Sequence, residues 1–177
     1  MNGKILVAYA SRTGSTAGVA EAIGESFIQK GTQADVQAMQ EVENISAYSA
    51  VVAGSAIQNR AWLPEAMEFV QVNQRELSRV PFAIFALCMT LAMRDGERYR
   101  PQVSEWLSPV RRLVQPVSDA VFPGILDIQR IPSFSDRWKF RLSVALGVWS
   151  EGDHRDWDAI YQWADELHAP LLGKQDL

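Results

Sequence analysis

Alternation, strand composition and chain length together predict a doubly wound α/β domain. Five short runs rich in Val, Ile and Phe, at Lys4–Ala10, Ala34–Met39, Ser49–Gly54, Val80–Cys88 and Val117–Pro123, alternate with stretches of helical periodicity. Several runs are apolar almost throughout, as expected of parallel strands covered on both faces. At 177 residues, 47% hydrophobic and 21% charged, the chain can bury a full core and is too apolar for disorder. No linker divides it and no repeat of 20 to 50 residues recurs.

Each helix has its own signature. After the first strand, Ala20, Ile23 and Phe27 fall at helical spacing, and Lys30-Gly31 is a stop signal. Pro64-Glu65 opens the second, with Leu63, Ala66, Met67 and Val70 on one face. Val103, Trp106, Leu107 and Val110 mark a third, which Pro109 is expected to end or kink. Trp157, Ile160, Ala164 and Leu167 mark the last.

Composition excludes several functions. The longest apolar run, Val80 to Met93, has 14 residues, whereas a membrane span needs about 20. Met1 to Lys4 leads directly into Ile5-Leu6-Val7-Ala8-Tyr9, which reads as a first strand and not as a signal peptide. One cysteine, Cys88, with His154 and His168, gives neither a disulfide nor a metal-ligand set, and points to a reducing cytoplasm. A net charge of -4 argues against nucleic acid as a partner. The charge is unevenly spread. Residues 128–141 hold four cations (Arg130, Arg137, Lys139, Arg141) against Asp136, while 151–177 hold seven acids against Arg155 and Lys174.

Ligands of doubly wound sheets bind beyond the carboxyl ends of the strands. After strand one stands Ser11-Arg12-Thr13-Gly14-Ser15-Thr16, running straight into a helix. Hydroxyls, a glycine and the free N–H groups of a helix start suit a phosphate, and Arg12 adds charge. An ordinary Ser/Thr cap on a surface helix is the plainer account of the same residues. Neither G-x-x-x-x-G-K-[ST] nor G-x-G-x-x-G is present. After strand three come Ser55, Ala56, Ile57, Gln58, Asn59 and, further on, Trp62; after strand four, Leu87, Cys88, Met89 and Thr90; after strand five, Gly124. This apolar and amide-bearing lining suits a flat aromatic ring such as an isoalloxazine. Trp62 either stacks on that ring or packs into the core.

Other chemistries fail at the same positions. A phospho-acceptor receiver needs acids where the chain has Ala10-Ser11 and Gly54-Ser55. Cys88 and Arg94 have C-x5-R spacing, but Met89-Thr90-Leu91-Ala92-Met93 contains no glycine to cradle a phosphate, so Cys88 reads as a buried strand end. There is no G-x-S-x-G elbow.

The loop Ser11–Thr16 resembles the FMN-phosphate loop [ST]-x-[ST]-G-x-[ST] of the flavodoxin superfamily. Gly54–Ile57, Trp62–Ala66 with Phe69-Val70, and Gly152–Ile160 are similar to the flavodoxin-domain family that includes menaquinone-dependent protoporphyrinogen oxidase. The resemblance covers nearly the whole chain, as one domain. It implies a flavodoxin-like five-stranded parallel sheet in the order 2-1-3-4-5 with helices on both faces. It also implies non-covalent FMN, with its phosphate on residues 11 to 16 and its ring between the loops after strands three and four. Asp127 to Ser150 would be a variable insertion. Where members of the family often carry an aromatic or Arg residue followed by glycine, this chain has Gln58 and Arg60, and the side chain at 60 is expected to crowd the flavin edge.

Within 153–158, Asp153 is expected to cap the last helix, with Asp156 and Asp158 favouring its dipole and Trp157 in the core. Arg155 either pairs with a carboxylate or reaches the phosphate region. His168 sits in the last turn, where a cation is favoured. The segment Trp138–Trp149 is basic at one end and apolar between two tryptophans; it is either a surface for peripheral membrane contact or a lid over the flavin pocket.

Three functions are compatible with these features. One is an FMN-dependent oxidoreductase passing hydrogen from a small organic donor, such as a porphyrinogen, to a quinone. Another is a flavodoxin-type electron carrier, which the modest net charge suits poorly. The third is an FMN-free binding module on the same fold.

Overall fold

The computed structural model describes residues 3–131 and 133–173. The Met1-Asn2 start, and Lys174 and Asp176 of the acidic segment, lie outside the described residues. The strands are β1 (Ile5–Ala10), β2 (Ala34–Ala38), β3 (Ala50–Gln58), β4 (Ala61–Trp62), β5 (Phe82–Cys88), β6 (Ser118–Pro123), β7 (Ile125–Leu126) and β8 (Gly152–Asp153). The helices are α1 (Ser15–Gln29), α2 (Pro64–Val72), α3 (Gln74–Leu77), α4 (Arg100–Glu105), α5 (Ser108–Leu113), α6 (Phe134–Ala145) and α7 (Trp157–Leu172). Five parallel strands run in the order β2-β1-β3-β5-β6, so the expected 2-1-3-4-5 sheet is present.

Strand alternation divides the core in two. Leu6, Ala8, Val51, Ala53, Ile84 and Ala86 pack with Leu63, Phe69, Leu77, Leu107 and Val110 on one face. Ile5, Val7, Val52, Phe85 and Leu87 pack with Val19, Ile23 and Phe27 of α1 and Ile160, Trp163 and Leu167 of α7 on the other. Gly54 is obligatory at the centre, because a Cβ there would lie 2.0 Å from Cζ of Phe85.

Three elements depart from the sequence reading. The sheet gains β4, antiparallel to β3, because β3 runs four residues past Gly54 and turns back through Asn59 (φ 52°) and Arg60 (φ 63°). Two consecutive left-handed residues are the type I′ hairpin geometry, and neither is the glycine that usually advertises it. The third helix is two short ones, α4 and α5; Pro109 stands in the first turn of α5, where its missing N–H leaves no bond unmade. The cap of α7 is Asp156, whose Oδ1 accepts from the N–H of Ala159 at 3.0 Å, and not Asp153.

The segment 127–150 leaves the domain through a two-stranded clamp, β7 against β8. Ser133 caps α6 by accepting from Asp136 N–H, and Gly147 (φ 70°) ends it. There Gly147 N–H donates to Val144 O at 2.9 Å and Val148 N–H to Ser143 O at 3.0 Å, the Schellman pattern. The segment is tied back by a bridge between Met93 and Trp149 and by Arg94 N–H donating to Val148 O at 3.3 Å, and Phe140 packs edge-on to Trp149 within it at 5.7 Å.

Candidate functional site

A cleft of about 750 Å³ opens at the carboxyl ends of the parallel strands. Ten of the seventeen expected residues line it: Arg12, Thr13 and Ser15 after β1; Ala56, Ile57, Gln58 and Asn59 at the end of β3; Leu87 and Met89 at the end of β5; and Gly124 after β6. Four separate strand ends therefore converge on one space.

The remaining seven lie beside or behind it. Ser11 Oγ accepts from Gly14 N–H at 3.0 Å, closing the loop on itself, and Gly14 takes φ 90° with nothing near its Cα side. Ser55 is fully buried; its hydroxyl donates to Ala56 O at 2.9 Å and accepts from Leu63 N–H at 3.1 Å, tying β3 to the start of α2. Trp62 and Cys88 are each 3% exposed inside the core. Trp62 thus takes the packing role, because the β3–β4 hairpin folds it under the sheet end. Thr90 sits half-buried in the turn 89–92, outside the lining. Thr16 is the most informative: it is 0% exposed, in the first turn of α1, and its hydroxyl has no hydrogen-bond partner.

The loop 11–16 is ringed by guanidinium groups. Arg12 pairs with Glu65 at 2.6 Å, which anchors the loop to α2. Arg130 donates from Nη1 to Thr13 O at 2.7 Å and pairs through Nε with Asp127 at 3.1 Å. Arg155 does both things weighed for it. It grips Asp153 at 2.6 Å, and its Nη1 reaches Ser15 O at 3.5 Å, the outer limit of a hydrogen bond. Its guanidinium also stacks on Trp157, 4.4 Å from the ring centre. The first turn of α1 carries no acidic side chain. A helix start, hydroxyls and nearby cations are the features that suit an anion.

The cleft's carboxylates are engaged. Arg155 holds the Asp153 carboxyl, beside the loop, below the usual range. Lys139 and Ser133 do the same for Asp136, which lines the cleft. Asp127 is occupied by Arg130. The walls are apolar: Ile57, Leu87, Met89, Ile131 and Phe140. Among the described residues, both carboxylates lining the cleft are thus held in ion pairs.

Eight lining residues lie outside the expected set: Ile125 and Leu126 of β7, directly after Gly124, and six from one further place. Asp127, Arg130, Ile131, Ser133, Asp136 and Phe140 form the wall contributed by the segment 127–150. Of the two readings of that segment, the lid contact is made, through Phe140. Only its aromatic and basic content hinted at this. Arg60, expected to crowd the flavin edge, is exposed at the hairpin tip and is not among the residues that line the cleft.

Residues 6–156 match the family model described as flavodoxin domain. No curated protein matches the chain. Among solved structures, a short-chain flavodoxin associated with a non-canonical PDU bacterial microcompartment aligns with TM-score 0.59 at 12% identity, over 94% of this chain and 99% of its own. A Streptococcus pneumonia TIGR4 flavodoxin aligns with TM-score 0.57 at 15% identity, over 93% and 97%. A mutant flavodoxin from Pseudomonas aeruginosa aligns with TM-score 0.58 at 10% identity, over 96% and 99%. At these identities the likeness is one of fold.

Proposed function

The chain belongs to the flavodoxin domain family, and from that premise we propose that its cleft holds FMN for redox chemistry. The observation that carries this reading is the Thr16 hydroxyl, buried without a partner at the start of α1. A buried hydroxyl left unsatisfied costs about 1–3 kcal/mol, and a phosphate oxygen on residues 11–16 would offset that cost. Ser11, Thr13, Ser15 and Thr16 would hold the phosphate, with Arg130 and Arg155 stiffening the loop. Ile57, Leu87 and Met89 would give the ring its apolar walls, and Gln58 and Asn59 its polar edge. Bound FMN would supply the transfer of electrons or hydride; the protein's part is to orient the ring and tune its surroundings.

The finer reading is an oxidoreductase that takes hydrogen from a small organic donor and passes it to a quinone. The apolar side chains of Ile131 and Phe140 support it, since an apolar wall on the same cleft suits a small molecule better than a docking protein. A porphyrinogen donor rests only on the resemblance carried by residues 54–57, 62–66, 69–70 and 152–160. The carrier reading is favoured by the fold it shares with flavodoxins.

The first test is a visible absorption spectrum of the purified protein before and after adding FMN and desalting. Retained flavin bands are expected. No retained flavin at excess FMN would overturn the reading and leave a binding module. Stepwise reduction then separates the other two, because a carrier should show two spectral transitions and the oxidoreductase one.

A further inference from the structure

Helix α6 turns its apolar residues away from the protein. Phe134, Trp138, Leu142 and Leu146, four residues apart, are 73%, 59%, 61% and 71% exposed. With Val148 they make up five of the nine large hydrophobic residues exposed among the described residues. At 3.6 residues per turn these four form one stripe along the outer side of α6. The opposite side carries Asp136 and Phe140, which line the cleft. The same helical geometry puts Lys139 along one edge of the stripe and Arg137 and Arg141 along the other.

We propose that this face docks on an anionic lipid surface, with α6 lying in the plane of the headgroups. A stripe of aromatic and aliphatic side chains flanked by cations on both edges is the pattern of an interfacial helix. Charge selects the occupant. The whole chain carries -4, yet residues 128–141 carry +3, so a negative surface attracts this face and repels the rest, which fixes orientation. A second copy packed here about a two-fold axis would set like cations against one another. The one carboxylate of α6, Asp136, is turned to the cleft and paired with Lys139 at 3.1 Å. Docking in this way would hold α6, whose inner side is one wall of the cleft, at the bilayer. If the flavin reading above also holds, the redox partner met there is an amphiphile dissolved in the membrane; the docking itself does not depend on that reading.

The test is flotation of the full chain with vesicles of phosphatidylcholine, alone or mixed with phosphatidylglycerol. Binding is expected with the anionic vesicles, and on the order of a hundredfold weaker with the neutral ones, given three cations at the surface. Trp138→Ser with Leu142→Ser should abolish flotation, and Lys139→Glu with Arg141→Glu should weaken it at least tenfold. All four positions are on the surface, so circular dichroism should show the fold unchanged. Failure to float with anionic vesicles would overturn the proposal, as would equal flotation of either double variant. A dimer in sedimentation that Trp138→Ser with Leu142→Ser dissociates, without vesicle binding, would assign the face to a second copy instead. Because flotation requires no flavin, failure here leaves the FMN assignment standing, and failure to retain FMN leaves this one standing.

Discussion

The guanidinium of Arg130 donates to the carbonyl of Thr13 at 2.7 Å, across 117 residues of sequence. One contact thus joins the segment 127–150 to the loop 11–16. A charge-assisted bond at an exposed site is worth about 1 kcal/mol. Arg130→Gln should therefore weaken FMN binding roughly three- to tenfold, read by fluorescence titration. Arg130→Lys should recover only part of the loss, because an ammonium cannot serve Asp127 and Thr13 together. Unchanged affinity in Arg130→Gln would remove the segment from the binding site.

Thr16→Val should give effects of opposite sign. Without flavin, the variant removes a buried, unpartnered hydroxyl at nearly constant volume, so the apoprotein should gain about 1 kcal/mol in urea unfolding. With FMN, the lost phosphate contact should weaken binding about tenfold. A loss of both stability and affinity would mean the hydroxyl has a structural role in the protein itself.

At Arg60 the backbone is left-handed, at φ 63°. The conformation costs a side-chain-bearing residue about 1–2 kcal/mol, partly balanced by the greater chain entropy of glycine. Arg60→Gly should raise unfolding stability by roughly 0.5–1 kcal/mol and leave FMN affinity unchanged, because the side chain lies outside the cleft. A gain in FMN affinity would revive the crowding expected from the sequence.

His168 accounts for a pH dependence. Burial, and then Lys30, push its pKa below the ordinary 6.5, although Asp165 opposes them; its ring packs on Phe27, and its Nε2 meets Thr32 Oγ1 at 2.8 Å. The position expected to favour a cation thus holds a neutral imidazole, since desolvation outweighs the helix dipole. The unfolded chain takes up its proton near pH 6.5 and the folded one only lower. Stability should accordingly be full above 6.5 and fall as pH drops from there through the folded value. His168→Gln should flatten that part of the curve of unfolding free energy against pH.

What the sequence made legible was local. The doubly buried strands announce themselves through runs such as Ile5–Ala10 and Phe82–Cys88. The β3–β4 hairpin was hidden because Asn59-Arg60 lacks a glycine. The cap of α7 was misplaced by three residues, because Asp153 and Asp156 are equally good caps until Arg155 claims the first. The wall of the cleft was hidden for a deeper reason: contacts such as Arg130 to Thr13 join distant residues and leave no periodicity behind them.

The clamp of β7 on β8 makes the segment 127–150 separable. Leu126 faces Gly152 directly across an antiparallel pair, so their Cα atoms stand about 5 Å apart. A two-residue turn would span that gap, and lengthening a surface loop costs little, about 0.6 kcal/mol per doubling. The five parallel strands and the loop 11–16 can therefore stay constant while this stretch is cut out, extended or grafted from elsewhere. The architecture offers protein engineers a stretch that can be exchanged without touching the parallel sheet, and with it one wall of the cleft.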